Sequence, residues 1–106
     1  MLKLIYYVPE SHLEVTKQAV FNAGAGGIGN YQQCAWQVKG LGQFKAMTGA
    51  NPFLGQLDEL EQLEEWRVET IAPEHKASEV AQALKASHPY EEPAFEFMQI
   101  LEIPSI

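Results

Sequence analysis

The chain has 106 residues, 46% hydrophobic and 20% charged, a globular composition sized for a single domain, residues 1–106, with one modest core. Fourteen acidic against seven basic residues leave a formal charge of −7 with no two cations adjacent, which argues against a nucleic-acid partner. The lone Cys34 excludes an internal disulfide, and no apolar run approaches the roughly 20 residues of a membrane helix, so no membrane partner and a cytoplasmic location are expected.

Leu2 to Val8 reads as a first strand that stops at Pro9, which has no amide for a ladder. It offers Leu4, Tyr6 and Val8 to one face and Ile5 and Tyr7 to the other. Ser11 and Glu14 then spell an S-x-x-E capping box, and Leu13, Thr16, Ala19, Val20 and Ala23 follow at helical steps up to Gly24. Cys34, Trp36 and Val38 alternate with polar neighbours, the pattern of a half-buried second strand.

From Gly40 to Gly55 periodicity lapses among glycines and Pro52, which predicts a long loop of the kind that is commonly functional. A third strand is expected around Trp66 to Ile71, closed by Pro73. Ala77, Val80, Ala81 and Leu84 form the stripe of a second helix, which must stop by Ser87 because a residue before proline avoids helical angles. Ala94 to Ile103 reads as the last strand. The order β-α-β-β-α-β predicts an α+β, ferredoxin-like sandwich, with two helices on one face of a four-stranded antiparallel sheet. Two helices cover only one side, and apolar residues on the other predict a homo-oligomer.

Three stretches invite a functional reading. Gly24 to Gly29 matches G-x-G-x-x-G, but a helix precedes it and a strand follows, the reverse of what a dinucleotide site requires; a glycine C-cap and turn is expected instead. In the Gly40–Gly55 loop, Gly42, Lys45, Thr48, Gly49 and Asn51 are candidate ligand-binding residues, offering accessible amides, one charge and polar side chains. Finally His88-Pro89-Tyr90-Glu91-Glu92-Pro93 sets His88, Glu91 and Glu92 together as candidate ligands for a divalent metal ion, with His12 or His75 as further donors. A stiff corner is the competing account of that stretch, with Pro89 ending the helix and Pro93 opening the last strand. Adjacent carboxylates there point to opposite faces, which disfavours a glycosidase-type pair. No catalytic residue is assigned.

The stretches AGAGGIGNYQQC, GQFKAMTGANPFLG, VETIAP and HPYEEPAFEF together resemble the inserted domain of YqfO-type proteins, the Nif-three-like, dinuclear-metal family also called GTP cyclohydrolase I type 2. The resemblance covers nearly the whole chain. It implies a PII/CutA-like fold, a trimer, and a binding, regulatory or assembly role without catalysis of its own. The metal-binding hydrolase-like halves of that family have no counterpart in these residues, so their activity is not carried over. A separate hydrolase-like protein becomes a candidate partner, and CutA kinship a reason to consider a divalent metal.

Overall fold

The computed structural model describes residues 1–103. Its elements run β1 (Leu2–Val8), α1 (Leu13–Asn22), β2 (Ala35–Lys45), β3 (Leu60–Ala72), α2 (Ala77–Ser87) and β4 (Phe95–Gln99). The strands form one sheet in the order β2-β3-β1-β4, and every neighbouring pair is antiparallel. Both helices pack on one face, the ferredoxin-like arrangement that the element order predicts.

The period-two pattern of β1 sets that face. Leu4, Tyr6 and Val8 point toward the helices and stand opposite Thr70, Val68 and Trp66 of β3. Leu13, Thr16 and Val20 of α1 and Val80 and Leu84 of α2 close over them, and most of these side chains have no exposed surface. Each large apolar side chain so buried contributes about 1.5–3 kcal/mol. One polar pair lies in this core. Tyr6 Oη is 3.1 Å from Thr16 Oγ1, and the Thr16 hydroxyl itself donates to the carbonyls of His12 (2.8 Å) and Leu13 (3.0 Å). Tyr6 is therefore the donor of the shared bond, and burial pushes its hydroxyl up to about pKa 12.

The capping box does not form. Ser11 Oγ turns to His12 Nδ1 at 2.8 Å, and α1 has no side-chain cap. The helix grows instead out of a 3₁₀ turn, Glu10–His12, set by Pro9, whose carbonyl accepts the His12 amide at 3.0 Å. The second half repeats the device: Pro73 starts a 3₁₀ turn, Glu74–Lys76, its carbonyl accepts the Lys76 amide at 2.9 Å, and α2 follows. In both halves the fixed proline angle sets the chain's entry into the 3₁₀ turn from which the helix continues.

The turn after α1 is structural, as its order in the chain requires. Gly24 adopts φ +123°, and its amide and that of Ala25 return to the carbonyls of Phe21 and Val20. The Gly26 amide bonds the Ile71 carbonyl at 2.7 Å and its carbonyl takes the Cys34 amide at 2.9 Å, which extends pairing beyond the formal strands. At the other end of the chain α2 stops at Ser87, and His88 turns extended (φ −86°, ψ 140°) ahead of Pro89, as expected.

Three expectations about the strands are corrected. β2 runs through Gly40, Gly42 and Phe44 to Lys45, and β3 begins at Leu60, so the irregular segment is 46–59 rather than 40–55. Cross-strand pairing extends from Ala35↔Thr70 to Lys45↔Leu60 without a break, which the glycines conceal in the sequence because they contribute no alternation. β2 is not half-buried: it is an edge strand, with Trp36 60% exposed and Val38 41% exposed, and Cys34 lies just before it. β4 ends at Gln99, and Leu101 and Ile103 beyond it are exposed. On the face away from the helices Ile5 is already buried, between Glu69 and Glu96 of the flanking strands, whereas Trp36 and Met98 stay exposed. The unpartnered apolar surface is thus carried more by the outer strands than by β1.

Candidate functional site: a cleft between hairpin and corner

The β2–β3 hairpin outruns the rest of the sheet. The last β1–β3 rung is Val8↔Trp66, yet β2 and β3 remain paired as far as Lys45↔Leu60. Segment 46–59 then folds back instead of extending further. Its base is closed by the Asp58 amide on the Ala46 carbonyl, and its middle is tied to the α2–β4 corner by the Asn51 amide, 3.0 Å from Glu91 Oε1. The Phe53 ring packs edge-on against His12 at 6.0 Å and tilted against Tyr90 at 6.2 Å between centroids. Loop, hairpin and corner enclose a cleft of about 1030 Å³. Its floor is the helix-free face of the sheet: Tyr7, Val38, Gly40, Gly42, Glu65 and Arg67.

Two glycines at alternate positions leave part of that floor without side chains. A Cβ at Gly42 would overlap the Glu65 carboxylate, which lies across it and accepts the Tyr90 hydroxyl at 2.8 Å. Burial and this carboxylate push the Tyr90 hydroxyl pKa upward, so it stays a donor. The Tyr90 ring in turn packs against His88 at a tilt of 59°, 4.8 Å between centroids.

His88 is a structural ring. Its Nε2 is 2.7 Å from the Tyr7 carbonyl, and its Nδ1 accepts the Tyr90 amide at 3.2 Å. A carbonyl only accepts and an amide only donates, so the ring is neutral with its proton on Nε2. Burial lowers its pKa, partly offset by the Tyr7 bond. Both nitrogens are occupied, and neither is directed at Glu91 or Glu92.

The predicted residues therefore divide. Lys45, Thr48 and Gly49 line the cleft together with Glu91 and Glu92. Gly42 lines it too, but from within β2, where its role is to admit Glu65. Asn51 serves by its amide as the loop anchor. The proposed metal set is not assembled: among the described residues no three His, Cys, Asp or Glu side chains come together as ligands. His12 is committed to Ser11 and Phe53, and His75 stands exposed in the turn before α2.

Glu65, Arg67 and Tyr90 carry much of the site's chemistry and are absent from the residues predicted from sequence. A signal for two of them existed. Glu65, Arg67 and Glu69 recur at every second position through β3, a charged lane opposite the apolar lane of Trp66, Val68 and Thr70. On that lane Lys3 and Arg67 share one carboxylate, Glu69, at 3.4 and 3.2 Å.

No protein-family profile matches the chain. It is 46% identical over 102 residues to the GTP cyclohydrolase 1 type 2 homolog of Mycobacterium tuberculosis, an alignment that covers 96% of this chain and 27% of that protein. The chain thus spans about a quarter of the length of the curated relatives it matches. Among solved structures, a Bacillus cereus protein related to NIF3 superposes with a TM-score of 0.79 at 37% identity, covering 92% of this chain and 24% of that one. CutA1 from Pyrococcus horikoshii shares the fold, with a TM-score of 0.71 at 14% identity over 98% of this chain and 87% of that one. The chain is a homologue of one segment of the NIF3-related proteins and has the CutA-like fold. Among the described residues no helix is long and apolar enough to cross a membrane.

Proposed function

We propose that the chain is a homo-oligomeric binding and assembly module, without catalysis of its own, whose binding site is the cleft beneath segment 46–59. The observation that carries this reading is the anchored, folded-back loop. It sets Thr48 and Gly49, beside Lys45 at the end of β2, around a cleft that also meets the Glu91–Glu92 corner. The groups nearest to acid–base chemistry, His88, Tyr90 and Glu65, are spent on holding that corner to the sheet.

Assembly follows from the helix-free face. Trp36 and Met98 are 60% and 50% exposed there, and a closed ring of three copies would cover them and the strand edges together. The hydrolase-like portion of NIF3-related proteins, on the same or a separate chain, is the proposed heterologous partner, since the relatives extend well beyond the matched segment.

Light scattering at micromolar concentration should return about three times 11.9 kDa, and Trp36→Glu should reduce it to a monomer. A single monomeric mass for the native chain overturns the assembly reading. For the site, a small-molecule screen by NMR that never moves the amides of Gly42, Thr48 or Gly49 overturns the cleft. Tight, stoichiometric Zn²⁺ binding that His88→Ala abolishes would make the corner a metal site instead.

A further inference from the structure

The charged groups around the cleft are not equivalent, and the difference selects a ligand. Two of the cleft's carboxylates already accept a donor: Glu65, half-buried, takes the Tyr90 hydroxyl at 2.8 Å, and Glu91, exposed, takes the Asn51 amide at 3.0 Å. Glu92, beside Glu91, is likewise exposed at the rim. The cations are under-matched. Arg67 shares Glu69 with Lys3, and its Nε, though buried and 3.2 Å from Glu69 Oε2, has no aligned hydrogen bond. Lys45, at the far end of β2, forms no ion pair among the described residues. Between these two cations the cleft is lined by Val38, Phe44, Phe53 and Leu54.

We propose that the cleft takes a small organic anion, an apolar body bearing a carboxylate that pairs with the Arg67 guanidinium. This rests on the cleft being the binding site. An anion in the cleft displaces no contact and adds a carboxylate to the part-exposed Arg67 guanidinium, whose one carboxylate partner, Glu69, is shared with Lys3. A guanidinium fork matches a carboxylate in two parallel bonds, and the apolar walls strengthen that pairing by excluding water. The body of the ligand lies over Gly40, where the sheet has no side chain to obstruct it.

The test uses three matched probes on the full chain, followed by amide shifts in NMR: 4-phenylbutyrate, its neutral amide 4-phenylbutanamide, and 4-phenylbutylamine. The butyrate should move Gly42 and Thr48 saturably and bind about tenfold tighter than either analogue, the scale of one charge-assisted hydrogen bond. Arg67→Gln should bring the butyrate down to the level of the amide. Arg67→Lys, which keeps the charge without the fork, should lose about threefold and serves if the glutamine variant does not fold. Equal binding of the amide or the amine overturns the anion assignment and leaves the cleft standing as a site. So does a butyrate preference that survives both Arg67 substitutions. If none of the three probes moves a cleft amide, the binding-site reading falls as well.

Discussion

The Glu65 carboxylate lies across the α-carbon of Gly42, in space that a side chain on the neighbouring strand would otherwise fill. From there it holds the Tyr90 hydroxyl, so a missing side chain on β2 fixes the corner after α2. Gly42→Ala should therefore cost about 1 kcal/mol by displacing Glu65, although alanine is the better strand residue by about 0.5–1 kcal/mol. In a Glu65→Ala background the same substitution should become neutral or stabilising, since the obstructing carboxylate is gone. Urea denaturation of the four proteins measures this coupling, and simple additivity would refute the linkage.

His88 makes stability depend on pH in a defined direction. The unfolded histidine binds a proton near its ordinary 6.5, while burial holds the folded ring's pKa lower. Between those values the unfolded chain takes up more protons, so acid favours unfolding. The contribution of neutral His88 is complete above pH 6.5, declines as pH falls toward the folded value, and is flat below it. His88→Gln should cost about 1–2 kcal/mol at pH 7.5 through the bonds to Tyr7 and Tyr90, and should remove this part of the slope as pH falls through 6.5. An unchanged slope would show that another group is responsible.

Thr16→Val tests the buried polar pair. Valine keeps the shape but removes the acceptor, which leaves the Tyr6 hydroxyl in the core without a partner, at a cost of about 1–3 kcal/mol. Adding Tyr6→Phe should recover most of that loss, because a buried donor that is absent needs no acceptor. Thermal unfolding of both single variants and the double variant distinguishes this from a packing defect, for which the second substitution brings no recovery.

Gly24→Val should lower stability by about 1 kcal/mol or more, since φ +123° is unfavourable for a branched residue. Its new Cβ would also press on Lys76 Cγ at 3.2 Å, carrying the strain into the turn that starts α2. A denaturation midpoint equal to that of the native chain would contradict this account of the helix end.

The fold was largely readable because its signals are local. Leu4, Tyr6 and Val8 alternate, Val80 and Leu84 recur at helical spacing, and Pro89 dictates where α2 stops. The hairpin was not, because Gly40 and Gly42 interrupt alternation within a strand whose partner supplies the missing regularity through Glu65 and Leu63. The cleft was partly visible: Lys45, Thr48 and Gly49 belong to it, but the contact between Asn51 and Glu91 joins residues 40 positions apart and leaves no periodic trace. The contacts of His88 are hidden for a similar reason. Residue type alone does not reveal that the Tyr7 carbonyl, 81 positions away, is hydrogen-bonded to its Nε2.

The pairing of β1 with β4 also sets how the domain would respond to mechanical load. Leu2 stands opposite Gln99, the Ile100 amide reaches the Met1 carbonyl at 3.3 Å, and the N-terminal ammonium lies 3.6 Å from Glu102. Both strands therefore leave the sheet side by side, and tension between them falls on one antiparallel rung at a time, opening the pair as a zipper rather than shearing it. The cleft lies beyond the opposite end of β1, past Tyr7 and Val8, so the first rungs to part are those farthest from it. A pull applied at the ends would peel β4 away from Gln99 toward Phe95 and meet the His88–Tyr7 clasp last.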